Sequence, residues 1–105
     1  MGMVDVVTRE QVKAGLADGS ITLIDVREPN EFAAGHIPGS ANMPLSRFDP
    51  SQLPRDGKRI VFSCRSGNRT LQAIEMSRLF GRKDACAHYA GSMIDWVGAG
   101  EPVEV

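Results

Sequence analysis

The sequence contains few cysteines, few aromatic residues and no long apolar run. Its two cysteines do not form the disulfide framework of a small secreted domain, so we expect a reducing, cytoplasmic compartment. Because no stretch of about 18 consecutive apolar residues occurs, neither a transmembrane helix nor a membrane partner is expected. The two cysteines and two histidines lack the spacing of metal ligands, and we expect neither a metal nor another cofactor.

The sequence also lacks an excess of charge of either sign. Its formal net charge is −1, and no local cluster of lysines and arginines creates a positive surface. Binding to nucleic acid is therefore not expected. The length of 105 residues and a hydrophobic content of 42% predict a single domain over residues 1–105 with one core, which we expect to be monomeric.

Strand patterns alternate with helix patterns, which is typical of an α/β domain with a mostly parallel sheet. The predicted strands comprise residues 4–7, 21–26, 41–43, 60–62 and 85–90, and the predicted helices comprise 9–18, 27–35, 71–80 and 93–98. Thr8 with Gln11 indicates a capping box for the first helix, and Ser92 with Asp95 predicts an N-cap for the last. Residues 44–56 are expected to form a polar surface segment.

Cys64 stands where the fourth predicted strand meets the third predicted helix. The apolar run 60–62 is typical of a strand that is buried on both faces of a parallel sheet. Apolar residues spread around the helix 71–80 predict that more than half of it is buried. Ligands of such sheets bind beyond the carboxyl ends of the strands, which is where Cys64 falls.

The loop after Cys64 suits a thiolate. Backbone N–H groups and the positive end of a helix dipole favour an anion there, and Gly67 lets the N–H groups curl around the sulfur. Arg65 and Arg69 are expected to add two exposed positive charges. Such surroundings lower a thiol pKa from about 8.5, so Cys64 is predicted to be a nucleophile or sulfur carrier; the alternative is a buried core thiol. The candidate substrate-binding residues are Arg65, Ser66, Gly67, Asn68 and Arg69.

Three parts of the sequence together resemble the signatures of single-domain rhodaneses, which are thiosulfate sulfurtransferases. They are residues 25–32 with 35–44, the six-residue loop 64–69, and residues 90–96 with 100–103. The resemblance extends over about residues 4–103. It implies an α/β fold of three layers, in which a five-stranded, mostly parallel sheet carries helices on both faces.

The resemblance also implies a ping-pong reaction. Cys64 would take the outer sulfur of thiosulfate as a persulfide, release sulfite, and pass the sulfur to cyanide or to a thiol, which can belong to a protein. Arg65 matches the basic residue of thiosulfate-using relatives, whereas Ser66 replaces a lysine that some of them carry and leaves the donor preference open. Ser92 replaces a glycine common in the closing signature, and a capping role would explain it.

Three other functions remain open for a loop cysteine of this kind. A phosphatase or arsenate reductase of the same fold also needs a thiolate at a helix N-terminus, but its loop resembles Cys-x5-Arg. Here Cys64 and Arg69 are spaced as Cys-x4-Arg, one residue short. A non-catalytic interaction module would typically lack the cysteine. A persulfide or nitrosothiol carrier supplied by another protein would need the same loop as a sulfurtransferase.

Five further polar residues are assigned structural roles. Asp25 and Arg27 are expected to form an ion pair that ties the end of a strand. His36 belongs to a turn of the framework, and a thiolate that dipoles already stabilise needs no general base. His88 and Cys86 lie in a predicted buried strand, where packing is their expected role.

Overall fold

The computed structural model describes residues 3–105, so the first two residues of the predicted domain 1–105 lie outside the described part. In that part, five strands form one sheet in the order β1-β5-β4-β2-β3, and all neighbouring strands are parallel. The strands are β1 (Asp5–Val6), β2 (Ile21–Asp25), β3 (Ala41–Asn42), β4 (Arg59–Ser63) and β5 (Ala87–His88). The helices are α1 (Arg9–Asp18), α2 (Pro29–Ala34), α3 (Arg69–Phe80) and α4 (Ser92–Gly98). Within residues 3–105, no helix has the length and apolar character needed to cross a lipid bilayer.

The ends of α1 and α2 follow from local sequence. Thr8 Oγ1 accepts the N–H of Gln11 at 3.2 Å while Gln11 Oε1 accepts the N–H of Thr8 at 2.9 Å, which confirms the predicted capping box. Helix α1 ends at Gly19, whose φ of 75° is a left-handed conformation that glycine adopts without steric strain. Helix α2 begins at Pro29, where the absent N–H would have no partner inside the helix.

Helices cover both faces of the sheet, as predicted for a three-layer α/β fold. On one face, α1 and α4 pack over β2 and β4; the buried residues are Val7, Val12, Leu23, Ile37, Val61, Ala87, Tyr89, Met93 and Trp96. On the other face, α3 and the segment before β4 form the second cluster, which comprises Ile24, Val26, Phe48, Leu53, Ile60, Phe62, Cys64, Ala73, Ile74 and Ala85. Because β4 is covered on both faces, its 60–62 run is fully buried.

The prediction that α3 is more than half buried is wrong. A helix that lies on a sheet buries one stripe, and in α3 that stripe comprises Thr70, Ala73, Ile74 and Ser77. The larger apolar side chains lie outside it and are exposed: Leu71 (46%), Met76 (38%), Leu79 (74%) and Phe80 (54%). The number of apolar residues in α3 overestimates its burial because two polar residues, Thr70 and Ser77, occupy the buried stripe.

The expectation that residues 44–56 form only a polar surface segment is wrong in part. The segment contains two short 3-10 turns, Leu45–Arg47 and Pro50–Gln52. Between them Phe48 is buried and packs edge to face on Phe62, with ring centroids 5.7 Å apart. The segment therefore completes the core beneath α3, and its apolar residues escaped prediction because short turns have no helical or strand periodicity.

Candidate active site

Cys64 follows the last residue of β4, the middle strand of the sheet, and the loop that it begins leads into α3 at Arg69. The predicted position of the cysteine, between a buried strand and a helix N-terminus, is confirmed. The carboxyl ends of parallel strands carry the ligand sites of such sheets because the following loops gather there. The structure therefore places Cys64 at the centre of that edge.

The Cys64 sulfur lies inside the loop, and the residue is only 1% exposed. The backbone N–H of Gly67 donates to Sγ, with a nitrogen to sulfur distance of 3.1 Å. Gly67 has a φ of 94°, and a Cβ built at this position would lie 2.6 Å from the carbonyl oxygen of Ala90. Glycine is therefore required both by the backbone conformation and by the close approach of Ala90.

Two opposing effects act on the pKa of the Cys64 thiol. Burial raises the pKa because it disfavours the charged thiolate, whereas several backbone N–H groups lower it because they point at the sulfur. The N–H groups prevail, so the pKa of Cys64 lies below the ordinary thiol value. These groups belong to Thr70, Gly67, Ser66 and Arg69. The sulfur thus belongs to a buried thiol whose pKa is lowered, which combines features of the two interpretations drawn from the sequence.

Helix α4 holds the loop from the opposite side. The backbone N–H groups of Met93 and Ile94 donate to the carbonyl oxygens of Cys64 and Arg65, each at 3.1 Å. These donors belong to the first turn of α4, where backbone N–H groups have no partner inside their own helix. The two peptide groups that follow the cysteine are therefore fixed by a helix that is distant in sequence.

Ser92 does not have the capping role that its sequence predicted. The N-cap of α4 is Gly91, and Ser92 is a fully buried residue with a φ of 51°, a left-handed conformation that side chains disfavour. Its hydroxyl oxygen accepts the backbone N–H of Cys64 at 3.0 Å, and its proton is donated to Tyr89 O at 2.8 Å. The same oxygen lies 3.9 Å from the Cys64 sulfur. The conformation explains why glycine suits this position, and the hydrogen bonds explain the serine.

The two arginines of the loop differ in their surroundings. Arg69, expected to be an exposed charge, is instead half-buried and donates to both carboxylate oxygens of Glu31, at 2.6 and 3.0 Å. This hydrogen-bonded guanidinium holds the pKa of Glu31 down at about 2. Arg65 is exposed and forms no ion pair within residues 3–105. The local excess of positive charge is therefore that of Arg65, because Glu31 offsets Arg69.

The other predicted loop residues surround the sulfur at different depths. Ser66 is exposed and lines a shallow surface depression together with Gly91. Asn68 is also exposed and serves as the N-cap of α3, but its side chain makes no capping hydrogen bond. The structure therefore brings the backbone N–H groups of Ser66, Gly67 and Arg69 to the sulfur, while the side chains of Ser66 and Asn68 are exposed.

A groove opens beside the loop, between α2 and α4. It is lined by Arg27, Glu31, Gly35, Arg65, Ile94 and Val103, among others. The guanidinium of Arg27 is tied to Asp25, with Nη2 and Oδ2 2.7 Å apart, and the same Nη2 donates to Gly35 O at 2.7 Å. The expected structural role of the Asp25 and Arg27 pair is confirmed, since it fastens α2 to the end of β2.

The remaining polar residues also have structural partners. His36 stacks on Phe32 with ring centroids 3.8 Å apart, and its Nδ1 lies 2.9 Å from Phe32 O, as expected of a framework residue. Cys86 is half-buried beside Asp5, and both burial and that carboxylate raise the pKa of its thiol. His88 is buried as predicted, but it also forms a hydrogen bond with Thr70, a partner that the sequence pattern did not indicate.

Comparison with known proteins gives consistent results. The family of "Rhodanese-like domain" sequences matches residues 8–99. An uncharacterized protein of Synechocystis sp. is 42% identical over 84 residues, which cover 79% of this chain, although the chain spans only 46% of that protein's length. The human thiosulfate:glutathione sulfurtransferase is 32% identical over 106 residues, and the match covers 87% of this chain and 91% of the human protein.

The fold has close counterparts among solved structures. The human single-domain sulfurtransferase TSTD1 superposes with a TM-score of 0.74 and 31% sequence identity, and the match covers 90% of this chain and 96% of the human chain. A rhodanese-related protein of Thermoplasma volcanium gives a TM-score of 0.78 at 29% identity, covering 95% and 97% of the two chains.

Proposed function

This chain belongs to the rhodanese-like domain family, and from that membership we propose that it is a sulfurtransferase in which Cys64 carries the transferred sulfur. The named activities of its relatives support sulfur transfer in general. The proposal adds a donor, an intermediate and an acceptor: thiosulfate, a Cys64 persulfide, and a thiol or cyanide.

The proposed reaction has two displacements. In the first, the Cys64 thiolate attacks the outer sulfur of thiosulfate; a new S–S bond forms to Cys64, the original S–S bond breaks, and sulfite leaves with the electron pair. In the second, an acceptor thiolate or cyanide attacks the outer sulfur of the persulfide. The Cys64 thiolate is then released, and the acceptor leaves as a persulfide or as thiocyanate. Each step conserves charge and needs no external oxidant or reductant.

The observation that carries the proposal is the set of backbone N–H groups around the Cys64 sulfur. The backbone nitrogen of Gly67 lies 3.1 Å from Sγ of Cys64 and donates to it. The surrounding N–H groups lower the pKa of the thiol in spite of its burial. A persulfide anion has its charge within one S–S bond, about 2 Å, of the same position, so the same donors suit the attacking thiolate and the intermediate. The exposed Arg65 adds a cation at the loop that favours an approaching dianion.

The acceptor that fits best is a small thiol. The human relative is named as a thiosulfate:glutathione sulfurtransferase and is covered over 91% of its length. Cys64 is only 1% exposed, so a flexible tripeptide thiol reaches its sulfur more easily than a thiol on a folded protein does. Glutathione is therefore our proposed acceptor, and cyanide and a protein thiol are the alternatives that the assay compares.

A phosphatase is disfavoured by the contacts of Arg69. Phosphate transfer of the related kind needs an arginine that points at the bound oxyanion. Here Nη1 and Nη2 of Arg69 each donate to Glu31, at 2.6 and 3.0 Å, so the guanidinium is held and its charge is offset by this carboxylate. The loop between Cys64 and Arg69 is also one residue shorter than Cys-x5-Arg. We expect no turnover of an aryl phosphate; steady hydrolysis that is lost in Cys64→Ser would contradict this.

The test is intact-protein mass spectrometry of the reduced chain after incubation with thiosulfate. Wild-type protein should gain one sulfur, about 32 Da, whereas Cys64→Ser should gain none. Cys86→Ser is the matched control, and it should gain sulfur like the wild type because Cys86 lies apart from the loop and has a raised thiol pKa.

The acceptor is tested on the loaded protein. Glutathione should remove the added mass and restore the starting mass, and cyanide and a reduced thiol protein are compared at equal concentration. If folded wild-type protein gains no sulfur from thiosulfate but gains it from a protein persulfide, the carrier alternative replaces the thiosulfate proposal. If neither donor loads Cys64, the sulfurtransferase proposal is wrong.

A further inference from the structure

We propose that His88 is a positioning residue for the Cys64 loop, and that it acts through the hydroxyl group of Thr70. The inference deepens the proposed function, since it concerns the same sulfur. It rests on a chain of hydrogen bonds that runs from β5 through α3 to the loop.

Both residues are buried in the middle of the molecule. His88 lies on β5, directly beside Phe62 of β4, and is 5% exposed, while Thr70 in the first turn of α3 is fully buried. Nδ1 of His88 is 2.7 Å from Oγ1 of Thr70. A buried imidazole and a buried hydroxyl at this distance form a hydrogen bond that water cannot replace at low cost.

The proton positions follow from the remaining contacts of Thr70. Its hydroxyl group has one proton, and Oγ1 donates it to the carbonyl oxygen of Gly67 at 2.9 Å. With the hydroxyl proton assigned to this carbonyl oxygen, which can only accept, Oγ1 accepts from His88, and Nδ1 of the imidazole is assigned a proton. Because burial lowers the pKa of His88, the ring is neutral near neutral pH, and the tautomer with the proton on Nδ1 is assigned.

This tautomer restrains Gly67, the residue whose N–H contacts the sulfur. The N–H of Gly67 donates to Cys64 Sγ at 3.1 Å, and its carbonyl oxygen is held by Thr70 on the other side. If Nδ1 instead lacked a proton, it would compete for the hydroxyl proton of Thr70, and the Gly67 carbonyl would lose its donor. His88 therefore sets the direction of the Thr70 hydroxyl, which in turn restrains Gly67 from the carbonyl side of its Cα and limits the movement of its N–H away from the sulfur.

Thr70 connects to the sulfur by a second route. Its own backbone N–H is among the groups that lower the pKa of Cys64. A residue that fixes the Thr70 side chain thereby restrains two donors to the sulfur at once. If His88 only packs, any side chain of similar volume should give the same pKa of the Cys64 thiol. If His88 positions Thr70, the side chain at position 88 must carry a hydrogen-bond donor where Nδ1 lies.

The test compares His88→Asn with His88→Leu. The side-chain amide nitrogen of asparagine stands close to the place of Nδ1 and can donate to Thr70, whereas leucine fills the space without a donor. Thr70→Ser and Thr70→Val form a second pair, in which serine keeps the hydroxyl and valine has nearly the same shape without it. All variants are made with Cys86→Ser, so that Cys64 is the one reactive thiol.

The readout is the rate of Cys64 alkylation by iodoacetamide as a function of pH, which needs no sulfur donor or acceptor. His88→Leu and Thr70→Val should raise the apparent thiol pKa, and each unit of that rise lowers the thiolate fraction about tenfold at a pH below it. His88→Asn and Thr70→Ser should titrate like the parent protein. In the double variant His88→Leu with Thr70→Val, the shift should be no larger than in Thr70→Val alone.

The outcomes are separable from those of the sulfur-transfer assay. If Asn and Leu at position 88 give the same thiol pKa, the positioning role is wrong and His88 only packs. If His88→Leu does not fold, by far-UV circular dichroism, the Thr70 pair and His88→Asn decide: a parent-like titration of Thr70→Val overturns the proposal. Failure of thiosulfate to load Cys64 would count against the proposed function and would leave these titrations unaffected.

Discussion

The hydroxyl oxygen of Ser92 accepts the backbone N–H of Cys64 at 3.0 Å, although the serine must adopt a φ of 51° to do so. Ser92 is the one residue other than glycine with a positive φ in residues 3–105. Strained backbone of this kind costs on the order of 1–2 kcal/mol and persists where the surroundings over-determine it. Here the compensating contacts are the hydrogen bonds of the buried Ser92 hydroxyl group with Cys64 and Tyr89.

Two substitutions at Ser92 separate the strain from the hydrogen bond. Ser92→Ala keeps the strain and leaves the buried Cys64 N–H without an acceptor, so it should lower the free energy of unfolding by about 1–3 kcal/mol. Ser92→Gly also loses the acceptor but relieves the strain, so it should be about 1–2 kcal/mol more stable than Ser92→Ala. Urea denaturation of the three proteins measures both differences. Equal stability of the glycine and alanine variants would show that the left-handed backbone is not strained.

Much of the candidate site could be predicted from the sequence because its parts are adjacent in the chain. The strand, Cys64, the glycine turn and the helix N-terminus occupy one continuous segment, so their chemistry is visible in local patterns. The supports at Ser92, Glu31 and His88 come from distant segments, and only the fold brings them to the loop. The sequence does mark Ser92 as unusual, because serine occupies a position where the closing signature commonly has glycine.

The pair of Glu31 and Arg69 should make stability depend on pH. The pKa of Glu31 is lowered from 4.5 to about 2 in the folded protein, chiefly by its hydrogen bond with Arg69. A lowered carboxyl pKa contributes stability that is present above 4.5, the unfolded value, and is lost as the pH falls towards 2. The difference in unfolding free energy between wild type and Glu31→Gln should therefore be constant above pH 4.5 and shrink below it.

That comparison is made by urea denaturation at several pH values, and taking the difference removes the contributions of the other carboxylates. Glu75→Gln is a suitable control, because Glu75 forms an exposed pair with Arg78. Its effect on stability should be smaller at every pH, since exposed ion pairs contribute little. A Glu31→Gln difference that stays constant down to pH 2.5 would contradict the lowered pKa of Glu31.

The two loop arginines should have separable effects when each is replaced by alanine. Arg65 is exposed and unpaired within residues 3–105, so Arg65→Ala should leave stability unchanged within about 0.5 kcal/mol. It should raise the KM for thiosulfate about fivefold, since a charge pair about 4 Å apart in water contributes roughly 1 kcal/mol. Arg69→Ala leaves the half-buried Glu31 carboxylate without its ion-pair partner and should reduce the free energy of unfolding by roughly 1–2 kcal/mol.

Thermal denaturation and steady-state kinetics on the same preparations separate these effects. The increase in KM for Arg65→Ala should diminish at high salt, where the wild type also loses the attraction. An unchanged KM in Arg65→Ala at low salt would remove this side chain from donor binding. Full stability of Arg69→Ala would mean that the bidentate contact with Glu31 contributes nothing to the fold.

The fold could be predicted more fully than the distribution of burial. Alternation of strands and helices settles the architecture, and the capping box at Thr8 and Gln11 marks the first helix. The apolar pattern of α3 predicts too much burial because the buried stripe includes Thr70 and Ser77, whose hydroxyl groups donate to backbone carbonyls. An apolar count cannot reveal polar residues that are buried because they are satisfied by the helix around them.

Gly67 gives the sharpest test of the loop geometry, because the chain offers a matched control. Gly67 and Gly57 have similar positive φ values, 94° and 83°, so alanine at either position should lose about 1 kcal/mol of stability through backbone strain. At position 57 an added Cβ has no neighbour within 4 Å, whereas at position 67 it lies 2.6 Å from Ala90 O. The loop must therefore shift in Gly67→Ala alone, and the shift moves the N–H that donates to Cys64 Sγ.

We expect Gly57→Ala to keep the thiol pKa of the wild type and to be loaded by thiosulfate at the wild-type rate. Gly67→Ala should lose more stability than Gly57→Ala, titrate at a higher thiol pKa and load sulfur more slowly. Equal thiol pKa values in the two alanine variants would show that the Gly67 N–H does not stabilise the thiolate, and the lowered pKa of Cys64 would then rest on the N–H groups of Ser66, Arg69 and Thr70.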